Sequence, residues 1–232
     1  MSRAGDKAAG LALGRPRAAM ILAAGRGERM RPLTDTVPKP LLRVHGKPLI
    51  ERHVERLARA GIERIVINLA WLGSMIRDYL GDGSRYGVPI HYSEEAPQAL
   101  ETAGGIFRVL STLGPDPFLV VNGDVLTDYP FERLTLEAQR DANLVLVPNP
   151  PQHPRGDFGM ERGLAVASAV EQYTFSGIAA YDVKFFAGCV DGAFPLKPLL
   201  LRAMAAQRCS AEIYRGVWED VGTPERFRAL NA

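Results

Sequence analysis

The chain is poor in cysteine, histidine and net charge, and each shortage narrows what it can be. Cys189 and Cys209 are the only cysteines in 232 residues, and they form neither a CxxC nor a zinc-type spacing. A disulfide scaffold is thereby excluded, and a reducing, cytoplasmic setting is expected. The four histidines, His45, His53, His91 and His153, lie too scattered to suggest a metal cluster. With 28 Lys and Arg against 26 Asp and Glu, the formal charge is only +2. No basic stripe with interleaved aromatics stands out, so a nucleic-acid partner is not expected. No apolar run reaches membrane length, and Leu11-Ala12-Leu13 in the first segment is too short for a signal-peptide core. What remains is ordinary globular composition, 47% hydrophobic and 23% charged. Residues 1–17 read as a flexible N-terminal extension and 18–232 as a single domain, with no internal repeat.

Apolar segments alternate with helix patterns. Ala19 to Ala23, Ile65 to Asn68, Ile90 to Tyr92, Phe118 to Val121, Leu144 to Val147 and Thr174 to Tyr181 read as strands. Pro48 to Gly61, Trp71 to Leu80, Gly105 to Leu113, Phe131 to Asp141 and Pro198 to Gln207 read as helices. Strands apolar on both faces, separated by helices, predict an α/β fold with a doubly wound, mostly parallel sheet. Such sheets bind ligands at the carboxyl ends of their strands.

The first strand runs straight into Leu22-Ala23-Ala24-Gly25-Arg26-Gly27-Glu28-Arg29-Met30-Arg31-Pro32-Leu33-Thr34, with Pro38-Lys39-Pro40-Leu41 soon after. Glycines let backbone N–H groups approach phosphate oxygens. The loop is not a P-loop, because no Gly-Lys-Ser/Thr closes it. It is not the dinucleotide fingerprint, because Met30 stands at the third glycine position. A lone GxG would read as a glycine turn with solvated arginines. Arg26, Arg29, Arg31 and Lys39 crowd this one, and dense cations suit phosphoryl or nucleotidyl transfer, which works by positioning and charge stabilisation. Farther on, Val121-Asn122-Gly123-Asp124 ends a strand on a carboxylate, and Trp218-Glu219-Asp220-Val221-Gly222-Thr223-Pro224 carries another. Either could be a plain turn.

Taken in order, G-x-G-x-R-M-x-P-x-T, Pro-Lys-Pro, Gly-Asp and W-x-D-V-G-T-P resemble the signature of the sugar-1-phosphate nucleotidyltransferases, over about Ala19 to Gly222. The resemblance implies a Rossmann-like, GT-A-like core. It implies a reaction in which a sugar 1-phosphate attacks the α-phosphorus of UTP, giving a UDP-sugar and pyrophosphate. Val-Ile-Asn-Leu-Ala-Trp-Leu-Gly, Gly-Asp-Gly-Ser-Arg-Tyr-Gly and Phe-Ser-Gly-Ile resemble the branch of the family that serves bacterial cell-wall recycling. That implies N-acetylmuramate 1-phosphate as acceptor; the alternative is a hexose 1-phosphate with UTP, dTTP or GTP.

Carried over residue by residue, the resemblance makes Arg29 the arginine on the triphosphate and Lys39 the lysine neutralising the reacting phosphates. It makes Asp124 and Asp220 the ligands of Mg²⁺, a cation content with two carboxylates and substrate phosphates. Nucleotide contacts fall on Ala23, Ala24, Gly25, Gly27, Asn122, Thr102 and Gly104. Glu101 stands where the family segment L-G-T-[AG]-G has a glycine, and Thr102 also reads as a helix N-cap. The sugar-side E-K-P has no clear match; Glu171 is the candidate, with Gly159 and Asn149 beside it. The lactyl carboxylate of a muramate would need its own cation. Arg215 is the first candidate, although strand alternation from Asp220 turns it away, and Arg155 is the second. The chain ends soon after Asp220, without the extensions many members use to assemble, so a monomer is expected.

Overall fold

The computed structural model describes residues 15–95 and 100–232. Most of the expected extension therefore lies outside the described residues. The strands are β1 (Ala18–Leu22), β2 (Arg43–Val44), β3 (Lys47–Pro48), β4 (Arg64–Leu69), β5 (Ile90–Glu94), β6 (Phe118–Asn122), β7 (Val125–Thr127), β8 (Ala142–Val147), β9 (Phe158–Glu161), β10 (Leu164–Val166), β11 (Gln172–Tyr181), β12 (Cys209–Ile213) and β13 (Trp218–Asp220). The helices are α1 (Leu49–Arg59), α2 (Gly73–Leu80), α3 (Glu101–Arg108), α4 (Leu110–Leu113), α5 (Leu196–Ala205) and α6 (Pro224–Ala229).

Nine strands form one sheet in the order β5-β4-β1-β6-β11-β8-β12-β10-β9. The four from β5 to β6 are parallel, as the apolar runs predict. The other half is mixed, which corrects the expectation of a mostly parallel sheet: β11 runs antiparallel to both β6 and β8. The reason is local. No helix separates β8 from β11; an irregular proline-rich loop and the β9–β10 hairpin turn the chain, and turns of that kind favour antiparallel entry.

Helices cover both faces. Met20, Phe118 and Val120 pack with Ile106, Leu200 and Met204 on one side, while Ile21, Ile65 and Ile67 pack with Val54, Leu57 and Ile76 on the other. Each fully buried aliphatic side chain contributes about 1.5–3 kcal/mol by its removal from water. Among the described residues no helix is long and apolar enough to cross a membrane.

One expected helix is absent. Phe131 to Asp141 forms only a short 3-10 turn at Phe131–Arg133, then irregular chain with a turn closed by the Arg140 amide on the Glu137 carbonyl at 2.9 Å. Its apolar side chains Phe131, Leu134 and Leu136 are buried, yet the carbonyl of Thr135 accepts from Asn143 Nδ2 at 2.9 Å, a tertiary partner in place of a helical one. The helix expected from Gly105 instead begins at Glu101 and breaks at Val109.

Candidate active site

Three strands end on the same edge. Leu22, Asn68 and Asn122 close or nearly close β1, β4 and β6 there, and the Gly-rich loop leaves from Leu22. The Ala23 amide donates to Asn68 Oδ1 at 2.7 Å, and Asn68 Nδ2 donates to Glu95 Oε1 at 2.7 Å. Glu95 Oε2 accepts from the Leu100 amide at 3.1 Å. Asn68 and Glu95 are 4% and 3% exposed, so this buried relay fixes the loop's first residue against the start of α3. Neither residue was singled out in the sequence, although a polar residue closing an apolar strand was a readable signal for Asn68.

The loop shows why its glycine is needed. Gly27 has φ +68°, and a Cβ there would stand 3.0 Å from Thr34 Cγ2 and 3.3 Å from Lys39 Cβ. Its carbonyl accepts from Thr34 Oγ1 at 2.8 Å. The four cations divide. Arg26 lies over the Trp71 ring at 4.5 Å, and Arg31 Nε pairs with Asp35 at 3.2 Å. Arg29 and Lys39 face the cleft.

Lys39 is 8% exposed and its ammonium stands between two carboxylates. It is paired with Asp124 Oδ2 and lies 4.0 Å from Asp220 Oδ1. The meeting of these distant residues is built by a two-stranded ribbon: β7 pairs antiparallel with β13, placing Asp220 opposite Val125. Arg226 Nη1 donates to Asp220 Oδ2 at 2.9 Å, a contact that sequence reasoning missed; it lies two residues beyond the motif on α6.

The cleft has connected arms that share Asn122. One, of about 310 Å³, is lined by Ala23, Ala24, Gly25, Lys39, Asn68, Glu95, Thr102 and Asp124. A second, of about 480 Å³, runs beneath α5 between Phe158, Phe175, Val120 and Ala179, with Lys197, Asp157 and Glu101 among its walls. A third, of about 510 Å³, holds Arg29, Asp124, Asp220, Trp218 and Arg226. Gly27 faces a fourth recess with Arg29 and Lys39. A bulge in β11 makes the junction: Gly177 has φ +76°, and any Cβ there would collide with the Asn122 side chain.

Several expected contacts are not brought here. Gly104 faces away, since a Cβ would strike the Gly192 carbonyl where α3 packs on the segment before α5. Thr102 lines the cleft but does not cap the helix; Leu100 holds that position. Asn149 is spent as a staple, donating to the Gln172 carbonyl at 2.9 Å and accepting from Thr174 Oγ1 at 2.9 Å. Gly159 is packed beneath Ala169, and its neighbours Asp157 and Phe158 line the second arm instead. Glu171 and Arg215 lie beside the Tyr173 hydroxyl, whose pKa the nearby Glu171 carboxylate raises, and neither lines the arms described above. Arg155 lines none of these arms either.

Behind the carboxylates, His53 of α1 is 2% exposed and meets Phe131 edge-on at 6.3 Å between centroids. Burial pushes its pKa down to about 4.

A glycine loop, a pair of carboxylates and facing cations at the carboxyl edge of an α/β sheet define a nucleotide-handling protein. The chain belongs to the nucleotidyl transferase family, whose sequence profile matches residues 18–174. It is 52% identical to the N-acetylmuramate alpha-1-phosphate uridylyltransferase of Neisseria meningitidis serogroup B, over 92% of this chain and 96% of that one. It is 32% identical to the protein of the same name from Caulobacter vibrioides, over 94% and 96%. A putative glucose-1-phosphate thymidylyltransferase from Bacillus anthracis shares the fold, with a TM-score of 0.80 at 21% identity over 92% of this chain and 93% of that one.

Proposed function

We propose that the chain transfers a uridylyl group from UTP to N-acetylmuramate 1-phosphate, giving UDP-N-acetylmuramate and pyrophosphate. The observation that carries a transfer of this kind is the Lys39 ammonium held between Asp124 and Asp220 beside a glycine loop. The names of the relatives support the uridylyl donor and the muramate acceptor.

In this reading the nucleoside occupies the arm between Ala24, Gly25 and Thr102, and its phosphates run toward Lys39 and Arg29. The acceptor lies in the second arm, where Phe158 and Phe175 offer apolar faces to a pyranose. A phosphate oxygen of the acceptor attacks the α-phosphorus, the bond to the β-phosphate oxygen breaks, and pyrophosphate leaves. A sugar phosphate is ionised at pH 7, so no general base is required. Lys39 neutralises charge at the reacting phosphorus and Arg29 meets the departing pyrophosphate, which is the electrostatic work such reactions need. Lys197 is the one cation among the described residues lining the second arm, and it is the group we assign to the lactyl carboxylate.

The carboxylate pair fits Mg²⁺. Asp124 and Asp220 already flank one cation, the Lys39 ammonium, and they are hard oxygen donors. No third acidic, histidine or cysteine side chain joins them among the described residues, which leaves positions for substrate phosphates and water. When bound, the ion would neutralise charge on the transferring phosphoryl group.

The test is pyrophosphate release across UTP, dTTP, GTP and CTP, each with N-acetylmuramate, N-acetylglucosamine, glucose and mannose 1-phosphates. UTP with N-acetylmuramate 1-phosphate is expected to give the highest kcat/KM. A hexose 1-phosphate turned over faster would replace the muramate reading. Turnover with no pair would remove the enzymatic one.

A further inference from the structure

Glu101 is a charged residue in a backbone conformation that favours glycine. Its φ is +56°, in the left-handed region, and it opens α3 at the wall shared by the nucleotide arm and the chamber beneath α5. A side chain in that region costs stability relative to glycine, because Cβ crowds the following carbonyl. The neighbouring chain enforces it. The Leu100 amide is bound by Glu95 Oε2 at 3.1 Å, and the Leu100 carbonyl accepts from the Phe194 amide at 3.2 Å. The Gly104 amide donates to the Phe194 carbonyl at 3.2 Å, and Ala103 and Ile106 are fully buried. The fold therefore dictates the conformation at position 101 but not the carboxylate, which is exposed toward the cleft and has no hydrogen-bond or ion-pair partner among the described residues.

We propose that Glu101 is a specificity residue for the acceptor, its carboxylate accepting hydroxyl groups of the sugar 1-phosphate. The inference rests on the reading above that places the sugar beneath α5. A pyranose between Phe158 and Phe175 buries hydroxyls, and each needs an acceptor. The other carboxylate of that chamber is engaged: Asp157 Oδ2 accepts from the Phe175 amide at 2.9 Å, and Oδ1 lies 3.1 Å from His153 Nε2. Glu171 lies beside Tyr173 and lines none of the three arms. Among the described residues lining the chamber, Glu101 is left as the carboxylate without a partner, which explains a glutamate at a position whose backbone suits glycine.

The strain supplies a test whose two readouts move in opposite directions. Steady-state kinetics with UTP and N-acetylmuramate 1-phosphate are measured for wild type, Glu101→Gln and Glu101→Gly, together with melting temperatures. Glu101→Gln is expected to raise the acceptor KM about tenfold, the worth of a charge-assisted bond over a neutral one, with the KM for UTP within about twofold. Glu101→Gly is expected to raise the acceptor KM at least as much while raising the melting temperature by about 2–4 °C, as a left-handed position is relieved. An acceptor KM unmoved in both variants overturns the assignment. A lower melting temperature accompanying lost activity in Glu101→Gly makes the residue structural. An effect on the UTP KM that disappears with 2′-deoxy-UTP moves the contact to the ribose and overturns it too. A wild type that turns over no sugar 1-phosphate overturns the functional reading and this inference with it.

Discussion

The Val221 amide donates to the Asp124 carbonyl at 3.1 Å, and this bond fastens the chain beside one cleft carboxylate to the backbone of the other. With the β7–β13 register it brings Asp220 beside Asp124 and gives Lys39 two counter-charges. Asp124→Asn and Asp220→Asn are each expected to lower kcat by roughly a hundredfold or more, since charge at such a centre supplies several kcal/mol of transition-state stabilisation. Each variant should keep its melting temperature within a few degrees. Activity within about threefold of wild type in either would remove that aspartate from the reaction.

The loop's arginines are not equivalent, and kinetics can tell them apart. Arg26 stacks on Trp71 and Arg31 pairs with Asp35, while Arg29 faces the recess with Lys39. Arg29→Ala is expected to lower kcat more than it raises the acceptor KM, because its charge meets the departing group. Arg29→Lys should restore only part of the loss, a point charge replacing a fork. Arg31→Ala should stay within about threefold, the pair with Asp35 being exposed and weak. If Arg29→Ala changed only the acceptor KM, the arginine would belong on the sugar side.

The parallel half of the sheet and the glycine loop were legible because they are local. Continuous apolar runs such as Ile65-Val66-Ile67 and a loop at Leu22 need no tertiary partner to be recognised. Lys39, Asp124 and Asp220 were legible from short motifs. What joins them, strands of three residues each, leaves no periodicity to detect. The residues expected on the sugar side stand apart from the second arm, and the reason is related. Asn149 donates to the Gln172 carbonyl, Gly159 packs beneath Ala169, and Glu171 and Arg215 lie beside Tyr173; a polar or glycine residue in a suggestive segment does not by itself say which surface it faces. The groups that do line the second arm, Lys197 and Phe175, come from a helix start and a bulged strand with no motif of their own.

His53 makes a separate prediction about acid. Its folded pKa, about 4, lies below the 6.5 of the unfolded chain. Between those values the unfolded chain binds a proton that the folded protein refuses. The stability from burying a neutral ring is therefore complete above pH 6.5 and is lost as pH falls toward 4, with a total on the order of 3 kcal/mol. The melting temperature should fall across that window. In His53→Leu, a substitution of similar bulk among apolar neighbours, that part of the slope should vanish. An unchanged slope in the variant would assign the acid sensitivity to other groups.

The acceptor's carboxylate gives the last test, and it separates Arg215, the first candidate from the sequence, from Lys197, which only the structure brings forward. Arg215 follows β12 and lies beside Tyr173, and it lines none of the three arms. Lys197 sits in the first turn of α5, at the wall of the second arm, where no other described lining residue is a cation. Other cations near the cleft have partners or tasks: Arg226 is held by Asp220 at 2.9 Å, and Arg29 faces the phosphate recess. An exposed charge pair contributes less than a buried one, so a modest discrimination is expected, roughly fivefold to tenfold in kcat/KM. The measurement compares N-acetylmuramate 1-phosphate with N-acetylglucosamine 1-phosphate in wild type, Lys197→Ala, Lys197→Glu and Arg215→Ala. Lys197→Ala should bring the two acceptors together by slowing the muramate, and Lys197→Glu should invert the order. Arg215→Ala should leave the ratio alone. If the ratio collapses in Arg215→Ala and survives in both Lys197 variants, the lactyl group is read from the β12 side of the molecule, and the acceptor does not lie beneath α5.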